Sequence, residues 1–282
     1  MAKMSRRDLI RVAAGGGLAA IAFRGTRAGA ATDPQGTKMA TQDAPTGRVV
    51  TIEAKPEPIP IDTAKTAVLV IDMQNDFGSK GGMFDRAGID ISGIQKAVGP
   101  TAQVIASARA AGMKIAYLKM GYRADLSDLG APDSVNRVRH LRLNVGKVVR
   151  APDGRESRIL IRDTWNTDVV PQLAPRAGDL IVQKTRFSGF YETDLDARLR
   201  KLDIKHLIVT GCTTSICVDS TVRDAMFRDY ACILLADCMA EPIGQGLPRS
   251  NHDASLLAVE VLLGWVSGSA QFIKALELRP SE

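Results

Sequence analysis

Five short apolar runs, at residues 67–71, 114–118, 179–182, 206–209 and 231–236, set the strongest constraint on how this chain folds. Each is four to six residues long, rich in Val, Ile and Leu, and free of polar alternation. That is the pattern of strands buried on both faces of a parallel sheet. Between them, residues 95–111, 194–202, 215–229 and 250–263 carry apolar side chains at spacings of three and four, which predicts amphipathic helices. Strand and helix in alternation predict an α/β fold: a doubly wound, mainly parallel sheet with helices on both faces, in a single domain over 66–278. No internal repeat is present. Residues 121–166 differ, with eight arginines and little periodicity; a connection this long reads as a functional lid or a subunit contact in a homo-oligomer.

The formal net charge of +6 invites a nucleic-acid function until its location is examined. Residues 1–30 hold Lys3, Arg6, Arg7, Arg11, Arg24 and Arg27 against the single acid Asp8, so the remainder of the chain carries a net charge of only +1. Nucleic acid is therefore not an expected partner. The same thirty residues have a positive start, an apolar run over 12–23 and the small residues Ala28-Gly29-Ala30, the layout of a cleavable signal peptide. Twelve apolar residues are too few to span a bilayer, which takes about 20, so no stable membrane anchoring is expected after cleavage near Ala30. Ser5-Arg6-Arg7-Asp8-Leu9-Ile10 resembles the twin-arginine export motif, which implies the twin-arginine export machinery as a partner and a periplasmic, already folded product. Residues 31–65 turn polar and proline-rich, with Pro34, Pro45, Pro56, Pro58 and Pro60, and read as a linker whose last third packs along the domain.

In an open parallel sheet, sites form at the carboxyl ends of the strands. Asp72 follows the first run, Lys184 the third, and Gly211-Cys212-Thr213-Thr214-Ser215-Ile216-Cys217 the fourth, leading into a helix. Cys217 falls in the first turn of that helix, with Thr214 and Ser215 as N-cap candidates; there the helix dipole and Lys184 favour thiolate over thiol. Asp72 can take the thiol proton and return it to a leaving amine. The four cysteines, Cys212, Cys217, Cys232 and Cys238, are too few for a disulfide scaffold and form no C-x₂-C pair. The histidines, His140, His206 and His252, lie too far apart in sequence for a metal motif, and they read as structural residues.

Thr66-Ala67-Val68-Leu69-Val70-Ile71-Asp72-Met73-Gln74-Asn75-Asp76-Phe77, Lys184 after its apolar strand, and Thr210 to Ala225 resemble the three signature segments of the isochorismatase-like cysteine hydrolase family. The resemblance covers about residues 66–276. It implies a three-layer α/β/α fold, a catalytic triad of Asp72, Lys184 and Cys217, a cis peptide between Cys212 and Thr213, and an oxyanion hole from the amides of Thr213 and Cys217. Isochorismatases proper lack the nucleophilic cysteine, so Cys217 favours amide hydrolysis. Nicotinamidases of the family carry a metal motif near the end of the second strand, where this chain has Lys119-Met120-Gly121-Tyr122-Arg123; no metal and no cofactor are expected.

Gly81-Gly82-Met83, Lys184-Thr185-Arg186-Phe187-Ser188-Gly189-Phe190-Tyr191 and Gly264-Trp265-Val266-Ser267 are similar to ureidoacrylate amidohydrolases, whereas Tyr122-Arg123-Ala124-Asp125-Leu126-Ser127-Asp128-Leu129 is similar to biuret amidohydrolases. The expected substrate is a small linear amide or ureide, in a pocket walled by Phe77, Tyr122, Phe187 and Tyr191. Three alternatives stay open: an exported binding protein without turnover, a hydrolase of another carboxamide such as N-carbamoylsarcosine, and a thiol redox protein using Cys212 and Cys217.

Overall fold

The computed structural model describes residues 47–244 and 248–277. The proposed signal peptide, with Arg6 and Arg7, and the first part of the linker lie outside the described residues. In chain order the elements are β1 (Val49–Ile52), β2 (Ile59–Asp62), β3 (Thr66–Ile71), α1 (Asn75–Gly78), α2 (Met83–Arg86), α3 (Ser92–Ala110), β4 (Lys114–Met120) and α4 (Val135–Arg142). They continue through β5 (Val148–Arg150), β6 (Glu156–Arg158), β7 (Leu180–Lys184), α5 (Leu195–Lys201), β8 (His206–Cys212), α6 (Asp219–Met226), β9 (Ala231–Ala240), α7 (Asn251–Ala258), β10 (Trp265–Ser267) and α8 (Ser269–Glu277).

The main sheet has the order β10-β9-β8-β3-β4-β7, with every neighbouring pair parallel. All six residues of β3, at the centre, are buried. Its alternate residues enter two separate cores: Val68 and Val70 pack on one face with Ile94, Val104 and Ile105 of α3 and Phe272 of α8. Ala67, Leu69 and Ile71 pack on the other with Leu195 and Leu199 of α5 and Val222 of α6. Both faces of the strand are thus apolar because both are covered, which is why the run shows no alternation in sequence.

The five predicted strands are present, and β8 and β9 run further than their apolar cores, to Cys212 and Ala240. The sixth, β10, is a three-residue edge strand too short to stand out as an apolar run. The predicted helix over 215–229 begins instead with a π-helical turn, Thr214–Val218, and that over 250–263 ends in another, Val259–Leu263. Residues 49–62, read from sequence as linker, form an antiparallel hairpin of β1 and β2 in which Pro60 pairs with Thr51. A two-stranded ribbon has edges on both sides, so the missing proline N–H interrupts no interior ladder, and Val50, Ile52, Ile59 and Ile61 join the first core.

The arginine-rich stretch 121–166 is tied to the sheet rather than looped away from it. The Tyr122 amide donates to the Leu160 carbonyl and the Arg162 amide to the Tyr122 carbonyl, β5 pairs with β6, and the buried Asp76 carboxylate accepts from the amides of Met83 at 2.8 Å and Leu160 at 2.7 Å and from the Asn166 side chain. Burial pushes the Asp76 carboxyl up to about 6 despite those donors.

Candidate functional site

The strand ends converge as their order requires. Asp72, the residue after β3, has a left-handed backbone with φ of 52°, and its amide donates to the Leu118 carbonyl at 2.9 Å. Its carboxylate accepts from the Met120 amide at 3.0 Å and from Lys184 Nζ at 2.7 Å. Met120 and Lys184 sit opposite each other in the β4–β7 register, so the ends of three adjacent strands supply the carboxylate, its backbone donor and its cation. Gln74 fixes the end of β4 by accepting from the Met120 amide at 2.7 Å while donating to the carbonyls of Met120 at 2.9 Å and Thr167 at 3.0 Å. Lys184 is fully buried; besides Asp72 it donates to the Arg186 carbonyl at 3.3 Å.

On the other side of β3, Gly211 of β8 has φ of 120°, and a Cβ placed there would stand 2.0 Å from the Ile71 carbonyl oxygen. Only glycine lets β8 come this close immediately before Asp72. The Cys212–Thr213 peptide is cis, and the Cys212 thiol donates to the Asp72 carbonyl at 3.2 Å. The chain then turns through Thr214–Val218, where the amides on either side of Cys217 both donate to the Thr213 carbonyl, at 3.1 and 3.2 Å. Cys217 is buried and interacts with both the Asp72 carboxylate and the Lys184 ammonium.

The N-cap roles expected for Thr214 and Ser215 are not what the structure shows. Thr213 is the residue preceding the π-helical turn, with no side-chain cap bond. The Ser215 amide and hydroxyl instead donate to the buried Glu241 carboxylate, the amide at 2.9 Å, and Thr214 Oγ1 bonds Nδ1 of His252 at 2.9 Å.

The electrostatics act against the thiolate expected from the helix start. Burial raises the Cys217 thiol, Lys184 opposes that shift, and the Asp72 charge adds to it. The desolvation of a group with little solvent exposure outweighs one cation and a five-residue turn. Burial likewise raises the Asp72 carboxyl, against the pull of Lys184. Burial alone would lower Lys184, but Asp72 and Cys217 more than offset it and hold the ammonium charged.

Above this floor lies a cavity of about 310 Å³, near the lower end of small-molecule sites. Asp72, Cys212, Thr213 and Cys217 line its base; Phe77, Met83, Phe84 and Ile89 form one wall, and Arg139 and His140 of α4 with Leu143 just after it another, with Phe187, Pro242 and Ile243 around the rest. Of the four aromatic residues predicted to wall the pocket, Phe77 and Phe187 line it, whereas Tyr122 and Tyr191 do not. Tyr122 is turned inward behind His140, with ring centroids 5.5 Å apart, and its hydroxyl donates to the Thr185 carbonyl at 3.2 Å while accepting from Asn136. Tyr191 is half exposed, with the Arg186 guanidinium 5.7 Å from its ring centre. Sequence reasoning missed Arg139 and His140, because α4 is a polar helix whose burial depends on distant rings, and it missed Met83 and Phe84 for want of any signal beyond their place near Gly81-Gly82.

Among the described residues no group of three or more His, Cys, Asp or Glu side chains is placed to hold a metal ion, and all four cysteines are free and buried.

The isochorismatase domain profile matches residues 66–271. The ureidoacrylate amidohydrolase of Methylorubrum extorquens is 39% identical over 234 residues, covering 82% of this chain and 92% of that protein; that of Caulobacter segnis is 39% identical over 223 residues, covering 79% and 90%. Among solved structures, a cysteine hydrolase from Pseudomonas syringae pv. phaseolicola is similar with a TM-score of 0.65 at 33% identity, over 78% of this chain and 95% of that one. The N-carbamoylsarcosine amidase from Thermoplasma acidophilum is similar with a TM-score of 0.53 at 27% identity, over 73% and 96%. With the parallel sheet, the converging strand ends and a profile match across most of its length, the chain belongs to the isochorismatase family.

Proposed function

We propose that this protein is a cysteine amidohydrolase that cleaves the C–N bond of a small linear amide or ureide, of the ureidoacrylate or biuret kind, through a thioester. The observation that carries this reading is the convergence of Cys217 and Asp72 at the base of one cavity, with Lys184 bonded to Asp72 beneath it. Cys217 Sγ attacks the substrate carbonyl carbon, and as the S–C bond forms the thiol proton passes to the Asp72 carboxylate. Raised by burial, Asp72 is a stronger base than an exposed carboxylate, while Lys184 keeps it ionised before the transfer. The amides of Thr213 and Cys217 donate to the oxyanion. Asp72 then protonates the leaving nitrogen, the C–N bond breaks and ammonia departs. Water adds to the thioester, giving its proton to Asp72, and the collapse of that adduct restores the Cys217 thiol. The relatives named ureidoacrylate amidohydrolase support an amide substrate. Similarity to the N-carbamoylsarcosine amidase favours a carbamoyl compound of that type as the second reading.

A screen for ammonia release across ureides and carboxamides, run with the native protein and Cys217→Ala, tests the reading. Release that persists in the variant would remove the nucleophile's role from Cys217, and no release with any compound argues for a binding protein on the same fold. The leader supports export to the periplasm by the twin-arginine route: replacing Arg6 and Arg7 by Lys should retain the protein in the cytoplasm, and its periplasmic appearance would count against that route.

A further inference from the structure

The cavity is apolar on most sides, and one residue breaks the pattern. Among its described lining residues the charged groups are Asp72, already paired with Lys184, and Arg139 on α4. His140 adds no charge: burial holds its imidazole below the ordinary range, and its Nδ1 bonds the Asn136 carbonyl at 2.7 Å. The neighbouring arginines are committed elsewhere. Arg137 donates to the carbonyls of Leu126 and Gly130, Arg162 pairs with Asp128 at 2.9 Å, and Arg186 donates to the carbonyls of Asp128 and Thr185. Arg139 is exposed, and its side chain makes no hydrogen bond or ion pair with another described residue.

An unpaired guanidinium at the mouth of an apolar cavity is a poor neighbour for a neutral ligand and a good one for a carboxylate, which it can bind with two parallel N–H···O bonds. Its surroundings carry the same sign. Residues 121–166 hold nine Lys and Arg against six Asp and Glu, although the chain from residue 31 onward has a net charge of only +1, so positive charge is concentrated on the segment that walls the site. We infer that Arg139 forms a carboxylate subsite: the substrate is an amide or ureide bearing a carboxylate remote from the scissile carbonyl, held by Arg139 while the carbonyl rests on Cys217. This rests on the amidohydrolase reading and narrows it to acidic substrates. A neutral ureide such as biuret leaves the guanidinium without a partner.

The test does not depend on turnover. The protein is alkylated with iodoacetate and iodoacetamide, and with 3-iodopropionate and 3-iodopropionamide. Each pair differs only in charge, and the two lengths sample different reaches. Mass spectrometry of the Cys217 peptide gives the ratio of acid to amide rates for the native protein, Arg139→Gln and Arg142→Gln. Arg142 is exposed one turn further along α4 and does not line the cavity, so it controls for charge alone. For at least one length the ratio is expected to fall on the order of tenfold in Arg139→Gln, the lower part of the range for charged hydrogen bonds because the mouth is open to solvent, and to stay within twofold in Arg142→Gln. An unchanged ratio in Arg139→Gln at both lengths overturns the subsite. So does an equal fall in Arg142→Gln, which would assign the effect to the general field of the helix. Failure of the amidohydrolase reading is scored separately, as absence of Cys217-dependent ammonia release.

Discussion

The base of the cavity and its upper wall are built on opposite principles. The base consists of residues within one position of a strand end or in the turn that follows, each locked by several bonds: Asp72 by Met120 and Lys184, Met120 by Gln74, and the Cys217 turn by Glu241 and His252. The wall over it comes from α4, Phe187 and the 242–243 segment, held by ring contacts such as His140 against Phe187 at 5.9 Å and by single backbone bonds. A base with redundant bonds keeps reacting atoms in register, while a wall held by packing can change its lining without disturbing them. Chemistry should therefore fail abruptly when the base is altered, and substrate preference should drift when the wall is altered.

The largest effect is expected at the nucleophile. Cys217→Ala should lower amide hydrolysis by on the order of 1,000-fold or more, because nucleophile and base act as a unit. Cys212→Ala, which removes only a thiol bonded to the Asp72 carbonyl, should lose far less. The two rate constants, measured on folded proteins of matched circular dichroism, check this; an inactive Cys212 variant beside an active Cys217 variant would reverse the assignment.

Next comes Asp76, which joins base to wall by accepting from Met83, Leu160 and Asn166. Its folded carboxyl titrates near 6 rather than 3.8, so between those values the native state holds a proton that the unfolded chain has released. Stability contributed by that proton is complete below about pH 3.8 and is lost as pH rises through 6, a fall on the order of 3 kcal/mol for a shift of two units. Urea unfolding at pH 4 and pH 7 should show this decline in the native protein and a smaller one in Asp76→Asn. Equal declines would show that the buried carboxyl does not titrate as described.

The wall predicts a smaller change of another kind. Phe187→Ala should raise KM by roughly tenfold and change kcat by no more than a few-fold, since the ring contacts bound substrate in ground and transition states alike. A collapse of kcat would place Phe187 in the base and dissolve the contrast. The smallest expected effect is none: every proton in the proposed cycle passes through Asp72, so exhaustive dialysis against a chelator should leave ammonia release unchanged, and a loss restored by added metal would overturn that cycle.

The same contrast explains what the sequence discloses. Asp72, Lys184 and Cys217 follow apolar runs whose meaning is local: a buried strand declares itself, and its end declares where the site lies. Arg139 and His140 follow nothing of the kind, because α4 is buried only where Tyr122 and Phe187, distant in sequence, lean on it. Tyr122 and Tyr191 mislead for a related reason, since proximity to a strand end does not fix which way a ring turns. The β1–β2 hairpin is hidden by its prolines, which argue against a central strand but are harmless in a ribbon with two free edges.

The burial of Cys217 bears on how the protein endures between substrates. Oxidation by peroxide and capture by stray electrophiles begin from the thiolate, and at this sulfur burial and the Asp72 charge together oppose that form. As the proposed nucleophile, Cys217 is therefore slowed toward such reagents at rest, and it is expected to react fastest when a bound carbonyl takes the electron pair as the proton leaves. Its three fellow cysteines, buried and raised in the same way by desolvation, offer it no ready partner for disulfide exchange. Resistance to oxidation and readiness for catalysis, which a permanently ionised cysteine would set against each other, are reconciled by desolvation together with the Asp72 charge.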